Sequence, residues 1–135
     1  MSAITVTAAD VRPLAGAIIE RFAAGGSVNV GDVVYVSGND TVKQASGTLL
    51  AMALTPGICV ATNASGGTLA ASGDYVDVVL AGRVTGFASM TAGSLYFVSD
   101  TDGKLDTAVG TQDTMVGFAV NASTVFVRPQ IIDFS

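Results

Sequence analysis

Ala92–Leu105, AGSLYFVSDTDGKL, decides the fold, because it holds a complete strand, turn and second strand. Leu95, Phe97 and Ser99 alternate with Tyr96 and Val98 in a β-branched and aromatic run, the composition that fits a pleated, half-buried surface. Asp100-Thr101-Asp102-Gly103 then supplies turn residues before Lys104-Leu105 resumes. Asp bonds its own backbone in turns and Gly accepts positive φ without a Cβ clash, so the segment predicts a hairpin.

An earlier stretch repeats this pattern. Sixty-two positions upstream, Gly31, Val33, Tyr35, Val36 and Ser37 match Gly93, Leu95, Phe97, Val98 and Ser99, with Gly38-Asn39-Asp40 as the turn. Lys43 answers Lys104 one residue out of step. Gly57-Ile58-Cys59-Val60 before Asn63-Ala64-Ser65 resembles Gly117-Phe118-Ala119-Val120 before Asn121-Ala122-Ser123. Two related β units are therefore expected, over roughly 31–65 and 93–123.

The rest of the chain supports strands rather than helices. Ser2–Arg12 alternates loosely until Pro13, which removes a backbone donor and biases Arg12 away from helix, so residues 1–13 read as an extended N-terminal arm and 14–135 as one β domain. Gly16–Ala24, GAIIERFAA, could be helix or strand; Gly25-Gly26 cuts any helical face after two turns, and the reading is strand. Leu49–Pro56, LLAMALTP, is apolar without a period and is expected to be a buried connection or short strand. Gly73–Phe87 sets Tyr75, Asp77 and Val79 against Val76, Val78 and Leu80, and Ala81-Gly82 permits a bend or bulge. Strands at 57–62, 115–120 and 124–127 follow from their β-branched runs. The sum is an all-β chain, a compact β-barrel or β-sandwich of about ten short strands whose edges need closure or packing.

Composition narrows the function. Half of the 135 residues are hydrophobic, mostly Ala and Val, and 16 are Gly, which suits closely packed sheets. Only 13% are charged, against about 25% in an ordinary soluble domain, so surface is left for partners and a homo-oligomer, a trimer first, is expected. The net charge is −5 and the six basic residues are scattered, which leaves no stripe to neutralise phosphates and no nucleic-acid partner. No segment approaches the ~18 apolar residues of a membrane helix, and the start MSAITVTAAD has no signal-peptide pattern, so synthesis and assembly in a cytoplasm are expected.

Chemistry finds little footing. The chain has no histidine, the commonest general base and metal ligand. Asp100 and Asp102 are the obvious carboxylate pair, but a hairpin turn asks for the same residues. Calcium would meet hard oxygens in DTDG, yet the third acid and distal Glu of an EF-hand loop are missing. Cys59, the one cysteine, lies in an apolar run and reads as a buried structural thiol. Three Asn-x-Ser/Thr triplets, at Asn39, Asn63 and Asn121, read as turns. No catalytic residue, cofactor or metal ligand is assigned.

Taken together, VRPLAGAIIERFAAGGSVNVGDVVYV, PGICVA, VVLAGRVTGF, MTAGSLYFVSDTDGKLDTA and MVGFAVNASTVFVRPQ resemble tailed-phage head-decoration, or capsid-cement, proteins over most of the chain. The resemblance implies a β-rich, often trimeric structural protein on the capsid exterior, holding the lattice of the major capsid protein with an N-terminal arm. It implies no catalytic residues. A tail-fibre or receptor-binding module is the alternative, for which longer polar or aromatic loops would be expected; 7% of residues are aromatic. Apolar residues outside the two units are the expected partner contacts: Ile4, Val6, Val11 and, beside them, Arg12 on the arm, and Ile131, Ile132 and Phe134 on the tail.

Overall fold

The computed structural model describes residues 3–54, 57–64 and 67–131, the side chains of 130 and 131 excepted. Among these residues the chain forms twelve strands: β1 (Arg12–Pro13), β2 (Ile18–Ala24), β3 (Val28–Asn29), β4 (Val33–Gly38), β5 (Thr41–Gln44), β6 (Gly57–Thr62), β7 (Leu69–Ala70), β8 (Tyr75–Thr85), β9 (Leu95–Val98), β10 (Leu105–Asp106), β11 (Thr114–Asn121) and β12 (Thr124–Ile131). Two single-turn 3-10 helices, Ala8–Asp10 and Leu50–Met52, are the only helical elements among them. The expected all-β class holds, and of barrel and sandwich the chain takes the barrel.

Closure depends on β8. Five strands run in the order β8-β2-β5-β4-β6, and β6 pairs back onto β8 to shut the ring. The first half of β8 serves that barrel, with Val76–Val79 paired to β6 on one edge and Tyr75–Val79 to β2 on the other. Its second half carries an outer wing: Gly82–Thr85 pair with β12, and β11, β9 and β10 follow in order. The change of partner occurs beside a bulge at Leu80, where Ala81 pairs with Ile18 but Val79 with Ile19, one residue before the Ala81-Gly82 step expected to bend. Gly82 has φ +116 and Ala17 Cα lies 2.6 Å from where its Cβ would be, so only glycine fits both backbone and space. Valine fills the interior: Val33, Val79, Val84, Val98, Val116, Val125 and Val127 are all fully buried, as stiff β-branched side chains on facing pleats should be.

The two units are wired alike. β4 lies between β5 and β6, and β9 between β10 and β11. Val33↔Ile58 and Val34↔Gly57 in the first unit match Leu95↔Phe118 and Tyr96↔Gly117 in the second. Tyr35↔Lys43 and Val36↔Val42 match Phe97↔Asp106 and Val98↔Leu105. By register, then, Lys43 corresponds to Asp106 and not to Lys104. The second turn is longer, which hid this equivalence in the sequence.

The N-terminal residues expected to form an extended arm lie along the wing. Ala3 bridges to Asp106 and Val6 to Phe87, while Ile4 N–H donates to Leu105 O at 2.8 Å and Thr7 N–H to Gly86 O at 3.1 Å. Ile4 and Val11 enter the core. Burying each such side chain is worth about 1.5–3 kcal/mol, and the chain gains it internally.

Candidate partner-binding surface

Of the seven residues expected to contact a partner, Ile4 and Val11 are buried in this chain's own core. Val6 packs half-buried against that core, and Arg12 stays exposed on β1, paired in register with Thr85. The side chain of Ile131, and all of Ile132 and Phe134, lie outside the described residues. The surface therefore has to be sought elsewhere.

The loop before β6 offers one. Leu49 is 58% exposed, Leu50 49% and Leu54 36%, around the 3-10 turn Leu50–Met52. This corrects the expectation of a buried connection or short strand over Leu49–Pro56: among its described residues Ala53 is buried, Met52 half-buried and the rest exposed. Ser46 anchors its start: the Ser46 and Thr48 hydroxyls are hydrogen bonded at 2.8 Å, and Ser46 N–H donates to Met52 O at 3.1 Å. The loop is thus a tied turn that presents leucines to solvent, apolar area open to a partner.

Two further apolar regions lie on the strands. On β2, Ile18 and Ile19 are exposed. On the wing, Leu95, Phe118 and Phe126 stand opposite one another across β9, β11 and β12, and the two phenyl rings stack at 5.4 Å between centroids with 13° between planes. Leu95 caps this row and remains exposed.

Several polar groups hold turns. Asp100 accepts from Thr111 N–H and Thr111 Oγ1, each at 2.9 Å, and so ties the second hairpin turn to the loop before β11; it does not pair with the exposed Asp102. Ser99 Oγ donates to Asp106 at 2.9 Å. Buried Asp32 accepts from Asn29 N–H and Gln44 Nε2, both at 2.8 Å, and burial pushes its pKa above the ordinary carboxylate value despite those bonds. This carboxylate spans the β3–β4 turn and β5, and the adjacent Val33 N–H donates to Gly103 O at 2.9 Å, so it braces the junction between the two units.

Cys59 is fully buried, and burial pushes its thiol up to about 12, which removes it as a nucleophile near neutral pH. The three Asn-x-Ser/Thr positions lie in turns or at strand ends: Asp40 takes φ 51 beside Asn39, Asn63 Oδ1 accepts from Tyr75 N–H at 2.8 Å, and Asn121 Oδ1 accepts from Ser123 N–H at 2.9 Å. No group of three or more His, Cys, Asp or Glu among the described residues could hold a metal ion. What the arrangement offers is therefore contact area on a braced frame. No family model matches the chain, and no curated protein matches it significantly.

Proposed function

We propose that this chain is a structural virion protein that decorates the outside of a tailed-phage capsid and stabilises it by binding the lattice of the major capsid protein, without catalysing a reaction. The observation that carries the reading is the tied, solvent-facing leucine loop Leu49–Leu54 beside a closed barrel. A protein that grips a shell needs apolar contact area held on a frame that does not yield, and the resemblance of the sequence to capsid-cement proteins supplies the partner. Several weak contacts suffice, because a lattice presents many equivalent sites and bound copies act together.

The test is binding of purified protein to capsids lacking it, measured by co-sedimentation, with wild type beside Leu49→Asp/Leu50→Asp. Both leucines are exposed, so the charged variant should melt like wild type yet bind at least ~10-fold more weakly, a change of about 1.4 kcal/mol. Equal binding by the two proteins would remove the loop from the contact. No binding by wild type would remove the capsid reading.

A further inference from the structure

β2 has an open edge. Its residues Ile18–Ala23 pair with β8, but on the other side β5 reaches only Ala23 and Ala24, in parallel, and then turns away at Asn39-Asp40. Ala23 N–H donates to Asp40 O and Ala24 N–H to Asp74 O, which fixes the alternation along the strand. Ala24, Phe22 and Glu20 direct their backbone groups to β8; Ala23, Arg21 and Ile19 direct theirs away from it. The N–H and C=O of Ile19 and Arg21 thus have no strand beside them among the described residues. Ile18 and Ile19 are exposed at this same place, 58% and 43%. An uncovered edge with apolar side chains is a template for strand addition.

We infer that the occupant is β2 of a second copy, paired antiparallel across a two-fold axis centred on Ile19. The sequence of the strand selects this register. Hydrogen-bonded pairing requires outward residues opposite outward ones, and within the uncovered stretch Ile18–Phe22 the axes that pair more than one residue of each strand fall at Ile19, Glu20 or Arg21. An axis at Glu20 sets two carboxylates face to face, and one at Arg21 sets two guanidiniums face to face, and directly opposed like charges destabilise a strand pair. An axis at Ile19 stacks Ile19 on its own copy, places Ile18 beside the aliphatic stem of the other Glu20 and keeps both charges off the centre. Arg21 is held aside by Asp77 at 3.0 Å. The contact is isologous and extends the sheet of one barrel into that of the next. It is independent of the capsid reading, and it gives a dimer where the family resemblance implies a trimer.

Four proteins test it by light scattering at micromolar concentration and by oxidative cross-linking. Wild type should show twice the chain mass, and Ile19→Lys, whose side chain is exposed and whose backbone groups do not serve β8, should show the monomer mass with an unchanged circular dichroism spectrum. Ile19→Cys should form a disulfide-linked dimer on mild oxidation, because directly opposed hydrogen-bonded residues lie about 5.5 Å apart between Cα atoms, within disulfide range. Glu20→Cys should not. A monomeric wild type, an Ile19→Lys variant that keeps the wild-type mass, or cross-linking through Glu20→Cys in place of Ile19→Cys would each overturn the contact.

Discussion

Replacing Gly117 by alanine attacks the fold at the point where the wing is tightest. A Cβ built at Gly117 falls on the carbonyl oxygen of Phe126, with Phe126 C at 2.8 Å and Val127 Cα at 3.2 Å. All three are backbone atoms of β12, so no side-chain rotation relieves the contact; β11 and β12 must part. β12 cannot retreat freely, because its other edge is paired to β8 from Thr124 to Val127. Overpacking of this kind costs about 1–3 kcal/mol, and losing one ladder hydrogen bond adds about 1. The sum, about 2–4 kcal/mol, is a large fraction of the 5–15 kcal/mol that holds a typical domain. At roughly 4 °C per kcal/mol, Gly117→Ala should melt about 8–16 °C below wild type in a circular dichroism scan. Gly26→Ala, whose new Cβ meets nothing within 4 Å, is the control and should stay within about 0.5 kcal/mol. If Gly117→Ala melts with its control, the close approach of β11 and β12 is not as described.

Burial raises the pKa of Asp32 in the folded state above its ordinary 3.8, so the stability it contributes is fully present at acid pH and lost as pH rises through the folded pKa. Asp32→Asn should therefore gain on wild type as pH is raised from 3 to 7 in urea titrations; a constant difference would contradict this. With its thiol at about 12 and no exposed surface, Cys59 should resist iodoacetamide at pH 8 in native protein and react once urea unfolds it; fast native labelling would show that β6 opens. Ile58, fully buried between β4 and β8, should lose about 2–5 kcal/mol on truncation to alanine, read from the same titrations.

The hairpins were legible because Asp102-Gly103 and Asn39-Asp40 are local signals, and Gly103 and Asp40 do take positive φ, 75° and 51°. The strand at Ile18–Ala24 was legible because Gly25-Gly26 stopped a helix too early. The ring itself left no local trace. The pairing of β6 with β8 and the short parallel seam of β2 with β5 join distant segments, and neither changes the alternation within them. The same limit misplaced the surface. Ile4 and Val11 looked like parts of an extended arm because Thr and Ala surround them, and the bonds that lay that segment on the wing, such as Ile4 to Leu105 and Thr7 to Gly86, join residues far apart in sequence. LLAMALTP looked buried because it is apolar, and nothing in a run without a period says which side of it meets water. Exposed Ile18 and Ile19 were visible only once β5 was seen to stop at Ala23.

The claim at the centre of this account is that the protein stabilises an assembled shell. A ligand that binds only one state at about 100 times its dissociation constant favours that state by roughly 2.7 kcal/mol per site, and a capsid offers many sites. The direct measurement is the temperature at which particles release DNA, followed with an intercalating dye, for phage particles stripped of this protein and for the same particles after it is added back. The account predicts release at a lower temperature from stripped particles and full recovery on addition. Equal release temperatures, with stripped particles failing to adsorb to cells, would contradict it and favour a receptor-binding module.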